Sequence, residues 1–569
     1  MAVASCFLLT PCQVRCDRNN PCGNCQDQGT VCTRHRSRRR PLRNVSPWSE
    51  RTVVPILNNH LNVRHELQGW ISMIPLTDAQ MSRHQLGRTQ GLSWKRLQAL
   101  ESALYTASKI MDSMRGLRQS SRTHEQSDEQ CKIPSPEVLS WMFKDIGANR
   151  FGSYVRGNFR HVSMPTLEKM AMSLLRKDAS LSDSILYTVC VNVMAYEFLT
   201  TALMVEEKIG LSQRLQQNAL RYRATAQAAL RKIPLVTTPS LALLQAIICG
   251  IFLFQESGDT TFSWELTRTA CRICTDIGLN TIAANGLGVS EEEYYCFIWC
   301  YILDRNRAWK LGQSDCFLEV IPRRNLHVPT RVDPQVAEHL LIYLDLAQVQ
   351  DGIRPFVKDP SLRESQSVVL PLTNVRERGL PKMEEIRSRI DQASHGSITF
   401  WCHQILTRKF CSPFSPSSTF WRGLDNGSAI VALDFAYSSV MTTILHLVQP
   451  NQGQTLSAKD RYLESARHCL SALASISLSS DKQSTVAFLH WTLLYRPLTA
   501  ILVVFCNAIV TSHIGDFHLL KTMADCLTQC GAISQSIAKL QNLFEEFVSL
   551  SQPFLDEERN LSSKPSSRS

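Results

Sequence analysis

The chain has 569 residues, 44% of them hydrophobic, with 61 lysines and arginines against 50 aspartates and glutamates and a net charge of +11. That is apolar material for one large core and one small module. Residues 1–12 have no positively charged start, a short apolar run and no clean small-residue cleavage site, which argues against a secretory signal and an extracellular disulfide framework.

The first stretch is the densest in chemistry. Cysteines stand at Cys6, Cys12, Cys16, Cys22, Cys25 and Cys32, and Arg34, Arg36, Arg38, Arg39, Arg40 and Arg43 follow at once. Thiolates crowded this closely read as a metal site or a disulfide knot. They are soft ligands that suit zinc, whose tetrahedral shell takes four, so six can hold two zinc ions only if two of them bridge both metals. Residues 1–51 carry nine arginines against Asp17, Asp27 and Glu50, so more than half of the net charge sits in under a tenth of the length. Such concentration is the footprint of phosphate binding, and the same run reads as a nuclear localisation signal.

From Cys16 onward the spacing is C-x5-C-x2-C-x6-C, within QVRCDRNNPCGNCQDQGTVC at 13–32. This half-motif resembles the second half of the fungal binuclear zinc cluster, the DNA-binding module of fungal transcription regulators. The resemblance implies zinc ligation by Cys16, Cys22, Cys25 and Cys32, with Pro21 and Gly23 at the turn of the metal loop. It further implies two zinc ions if Cys6 and Cys12 complete the set. Phosphate contacts then fall to Arg15, Arg18, Arg34, Arg36, Arg38, Arg39 and Arg40. The first half departs from the family. Counting back from Cys16, the family places cysteines at 9 and 6; position 6 is cysteine, but position 9 is Leu9. Arg15 is the one cation on the segment that enters the major groove in the family, and Pro11 fits poorly inside a helix. A misplaced start of the sequence and a degenerate cluster both explain this.

Residues 34–92 read as a basic linker. Residues 93–118 follow as a dimerisation helix, with Leu97, Leu100, Leu104, Ala107, Met111 and Met114 at heptad positions. Residues 119–134 are polar and read as a disordered linker. From 135 to 555 the pattern is helical. PSPEVLSWMFKDIG and HVSMPTLEKMAMSLL place apolar residues at i, i+3 and i+4, with Pro and Ser at the start positions. Residues 181–233 continue in two or three helices. The segment from Thr238 to Asn280 reads as two packed helices, the first apolar nearly all round. Ser290-Glu291-Glu292-Glu293 is a capping box.

The block at about 185–325 resembles the middle homology region of the same fungal regulators. The matching residues are Pro239-Ser240-Leu241, Gln255-Glu256, Asp276-Ile277-Gly278-Leu279, Trp299, Asp304-Arg305 and Gly312. The resemblance implies an all-helical regulatory domain. Asp304-Arg305 reads as an internal structural pair, with a functional pair as the rival.

Residues 326–395 are more polar, with a loop expected around 358–382, and 396–550 return to helices. The apolar run Ala500 to Cys506 falls short of the ~20 residues that span a bilayer and reads as a buried helix. Residues 543–558 alternate acidic and bulky apolar residues, as an activation segment or a final amphipathic helix would. Residues 556–569 are expected to be a disordered tail. The fourteen cysteines after Cys32 sit among apolar residues and read as buried free thiols. The sequence holds no HExxH, GxSxG, P-loop or DDxxD-type pattern, and no enzyme activity is expected.

The expectation is an all-α chain: a small zinc-cluster module at 1–33, a linker and coil-like helix, then a large helical domain. By the resemblance it is a nuclear, DNA-binding regulator of RNA polymerase II transcription, and metabolic gene clusters point to secondary metabolism. Its partners are double-stranded DNA, a second copy and the transcription machinery, with no membrane. The alternative is a transcriptional cofactor that acts through the helical domain without touching DNA.

Overall fold

Ser163 shows how the helices of this chain begin. Its hydroxyl accepts the Thr166 N–H at 3.3 Å, Pro165 occupies the first turn, and helix Met164–Arg176 follows. The computed structural model describes residues 93–115, 133–147, 160–203, 209–234, 237–280, 290–311, 334–358, 375–392, 426–448, 456–477, 486, 489–490 and 499–562. All fall in the second of the chain's two compact units, Asn62–Ser569. The zinc module, the basic linker at 34–92 and most of the linker at 119–134 lie outside the described residues.

Among the described residues every regular element is helical, in line with the all-α expectation. Helix α1 is Trp94–Arg115, α2 Pro136–Gly147, α3 Met164–Arg176, α4 Leu181–Leu203, α5 Ile209–Lys232, α6 Leu241–Glu256, α7 Thr260–Asp276 and α8 Glu291–Leu311. Then come α9, Pro334–Lys358, a single π turn at Val375–Gly379, and α10 over 380–392. The last five are α11 Asn426–Val448, α12 Leu456–Ser477, α13 Thr499–Thr511, α14 Ile514–Gly531 and α15 Gln535–Ser562.

The capping box forms as the spacing predicts. Ser290 Oγ accepts the Glu293 N–H at 3.3 Å, and Glu293 Oε2 accepts the Ser290 N–H at 2.9 Å. Ser240 caps α6 and Asp259 caps α7 in the same way.

Two cores form, each around one helix that is apolar on all sides. In the first, every residue of α6 from Leu243 to Gln255 is buried, and α4, α5, α7 and α8 surround it. Phe252 meets Trp299 edge-on at 5.2 Å. In the second, α13 is central, touched by α1, α11, α12, α14 and α15, and Phe505 stacks on Phe547 at 4.2 Å. The run Ala500–Cys506 is therefore a core helix, as its length predicts. One stretch among the described residues, Ile430–Val448, is long and apolar enough to cross a membrane, and 72% of it is buried within the fold.

Helix α9 belongs to both cores. Leu340, Leu344 and Ala347 face the first, while Ile342, Leu346 and Ile353 face the second. At 3.6 residues per turn these sets fall on opposite sides of one helix.

Three segments differ from the sequence expectation or refine it. The expected loop at 358–382 is helical from Val375 onward, because Met383, Ile386 and Ile390 recur at helical spacing and bury in the second core. Helix α15 runs to Ser562, into the expected tail. On α1, Leu100 and Ala107 of the heptad seam are buried within the chain itself, against α13 and α15. Arg96 fixes that docking. Its guanidinium donates to the carbonyls of Ile509, at 2.8 Å, and Val510, closing the C-terminus of α13, and lies 5.3 Å over the Phe554 ring.

Candidate functional site

The residues expected to carry metal and DNA contacts, namely Cys6, Cys12, Cys16, Cys22, Cys25, Cys32, Arg15, Arg18, Arg34, Arg36, Arg38, Arg39 and Arg40, all lie outside the described residues. Their donor chemistry still fits zinc, since four thiols make up a complete tetrahedral set. Among the described residues no group of three or more His, Cys, Asp or Glu side chains could hold a metal ion.

Of the motif residues that the structure describes, Asp304 and Arg305 form the centre of a buried charged network. Both side chains are almost wholly removed from solvent, at 0% and 1% exposure. Arg305 Nη1 lies 3.5 Å from Asp304 Oδ2, and its Nε lies 3.6 Å from Asp351 Oδ1 on α9. The guanidinium also sits 4.9 Å over the Tyr301 ring. Arg354 reaches Asp351 one turn along at 3.7 Å. Burial pushes the Asp351 carboxyl above its ordinary value, Arg305 pulls it back, and Asp304 adds to the rise. Burial lowers Arg354, and Arg305 lowers it further. Two residues on and on the opposite side of α8, buried Arg307 donates to Ser263 Oγ at 2.6 Å and lies 6.0 Å over Trp264, tying α8 to α7.

The network continues on the other side of α9. Arg389 of α10 bonds Glu338 and the fully buried Asp345, and Lys382 approaches Asp345 at 3.7 Å. Burial alone would lower Arg389, but its bonds to Glu338 and Asp345 outweigh that and hold it above the ordinary value. Helix α9 is thus clamped by Arg305 toward the first core and by Arg389 toward the second. The internal-pair reading of Asp304-Arg305 fits this geometry. Arg389 and Asp345 carry no local signal in the sequence, because their spacing along the chain follows no helical period.

A second polar seam joins the end of α6 to the other half. Glu197 of α4 and Glu256 face each other, with Tyr196 and Arg223 beside them. Burial, reinforced by Glu256, pushes Glu197 well above its ordinary value, and burial also raises Glu256. His490 bonds the Glu256 carbonyl at 2.6 Å and Ser534 Oγ at 2.7 Å.

The ten described cysteines form no disulfides, and all but Cys526 are buried. Cys249 Sγ lies 3.3 Å from His161 Nε2, the distance of a nucleophile and its base. Burial, with Cys190 as hydrogen-bond partner, pushes that thiol well above its ordinary value, so it is protonated and shielded from any substrate. These networks hold helices in register; they present no reactive group to solvent.

No protein-family model matches the chain, and no curated protein does. The resemblance to the fungal regulators rests on the residues quoted for it.

Proposed function

We propose that the chain is a zinc-dependent, DNA-binding regulator of RNA polymerase II transcription acting in the nucleus, as a homodimer that engages the transcription machinery. The observation that carries this reading is the C-x5-C-x2-C-x6-C spacing from Cys16 to Cys32 with the arginine run immediately after it. Zinc bound by Cys16, Cys22, Cys25 and Cys32, completed by Cys6 and Cys12, folds a module too small to hold a core of its own. Structural zinc binding contributes roughly 10–16 kcal/mol to such folding. Arg15, Arg18, Arg34, Arg36, Arg38, Arg39 and Arg40 then seat the module on phosphates. The clamped helical body supports a regulatory role, and a metabolic gene cluster is the target class the resemblance favours.

Metal analysis of the purified full-length chain tests this. Two zinc ions per chain are expected, and Cys22→Ser with Cys25→Ser should remove zinc and duplex DNA binding together. A zinc-free wild-type chain would overturn the reading. Leu9, at a position where the family has cysteine, favours a second reading: a cofactor that works through the helical domain. Transcriptional activity that survives the double substitution would support it.

A further inference from the structure

The outer face of α14, α15 and α1 carries more carboxylates than cations along its grooves, although the chain as a whole is basic. On α15, Glu545, Ser549, Pro553, Asp556 and Asn560 are all exposed and recur along one side of the helix. This ridge separates two open grooves. One, of 760 Å³, lies against α1 and is floored by Ala99, Leu550 and Phe554. The other, of 570 Å³, lies against α14, with Val548 and Ala524 in its wall and Asp525 and Lys521 on its rim.

Four exposed carboxylates, Asp525, Glu545, Asp556 and Glu557, line these grooves against two lysines, Lys95 and Lys521. Two of the carboxylates are held in place. Gln541 Nε2 donates to Glu545 Oε1 at 2.7 Å, and Gln552 Nε2 donates to Asp556 Oδ1 at 2.9 Å. Pro553 lies inside the helix and has no N–H to give to the Ser549 carbonyl one turn back, which leaves a further acceptor on the ridge. Beside the first groove, α1 exposes Trp94 at 70% and Tyr105 at 62%, both on its outward side. Exposed aromatic faces attract guanidinium and ammonium groups.

We propose that this face is a docking surface for a basic amphipathic helix of a partner protein. The apolar side of that helix enters the groove between α1 and α15. Its lysines and arginines meet Asp556 and Glu557 in that groove and Glu545 along the ridge, and an arginine stacks on Trp94 or Tyr105. The ridge from Glu545 to Asn560 is about 22 Å long, so it accommodates roughly fifteen residues of helix. This face would dock such a helix whether or not the N-terminal module binds zinc and DNA.

The probe is a fluorescein-labelled synthetic helix of about sixteen residues, built from leucine and lysine in an amphipathic pattern, titrated with the full-length protein at physiological salt. Glu545→Lys with Asp556→Lys should weaken binding about tenfold or more, while charge reversal at exposed Glu464 on α12 leaves it unchanged. Trp94→Ala with Tyr105→Ala should weaken binding of an arginine version of the probe. Hydrogen exchange should show protection at 95–102 and 545–560. These positions are exposed, so the variants should keep the wild-type thermal melt, which checks that they fold. Equal binding of a glutamate-for-lysine probe, equal loss in Glu464→Lys, or protection elsewhere would each overturn the proposal. So would a dimer of the full-length chain that Asp556→Lys dissociates, since the occupant would then be a second copy.

Discussion

The imidazole of His490 donates its Nδ1–H to the main-chain carbonyl of Glu256, 2.6 Å away and 234 positions earlier in the chain. A carbonyl can only accept, so the proton is on Nδ1, and the neutral ring leaves Nε2 to accept from Ser534 Oγ at 2.7 Å. One side chain therefore joins the end of α6 to the cap of α15.

Burial pushes His490 below its ordinary value of 6.5, and nearby Arg223 adds to the effect, while the Glu256 carbonyl opposes it. The unfolded chain then binds the extra proton first. Stability from this group is complete above 6.5 and is lost as pH falls from 6.5 through the folded value. His490→Gln should cost about 1–3 kcal/mol at pH 7.5. It should also flatten the loss of stability below pH 6.5, read by urea denaturation across the pH series.

Gly258 sits beneath that ring with φ +75, and a Cβ there would stand 2.9 Å from His490 Cε1. Both the backbone and the contact resist a side chain. Gly258→Ala should destabilise by more than about 1 kcal/mol and should also remove the pH dependence assigned to His490. Loss of stability with the pH slope intact would show that the ring had not moved.

The Glu197–Glu256 pair titrates in the opposite direction. Both carboxyls are raised above 4.5, chiefly by burial. Their contribution is complete below the unfolded value and is lost as pH rises from 4.5 through the folded values. Glu197→Gln keeps the shape and removes one ionisation. Melting temperatures should show it matching or exceeding wild type, with the advantage growing from pH 6 to pH 8.5.

Removing Arg305 leaves Asp304 and Asp351 buried without their shared guanidinium. Arg305→Met should cost about 3–5 kcal/mol. The cost should shrink when Asp351→Asn is added, and a double-mutant cycle by denaturant titration measures the difference.

For the proposed DNA contact, each lost phosphate neutralisation lowers the slope of log K against log salt by roughly 0.9. Substituting Arg38, Arg39 and Arg40 together by alanine should flatten the slope on a mixed-sequence duplex by two to three such steps. Anisotropy titrations across a salt series read this directly.

Local chemistry was legible in the sequence, and long-range pairing was not. The Ser290–Glu293 box and the all-round apolar character of α6 and α13 depend on neighbours within a turn or two, so spacing exposes them. Helix α9 hid in a stretch that reads as polar. Its apolar residues are divided between two faces, and its carboxylates at 338, 345 and 351 all reach arginines 40 or more positions away, with Arg354 as a local second partner of Asp351. No single amphipathic stripe forms, and window reasoning fails. Residues 543–558, which the sequence leaves open between an activation segment and an amphipathic helix, are helical, and α15 continues through Pro553 to Ser562 with the proline on the exposed side.

Leu344 and Leu346 are two residues apart on α9 and are committed to different cores. Neither half can therefore be excised without taking from the other one wall of its interior. Calorimetry of the helical body should give a single cooperative transition rather than two. Chemical perturbation of either half should lower the melting point of the whole, so an effector bound on one side reaches the other through one shared helix.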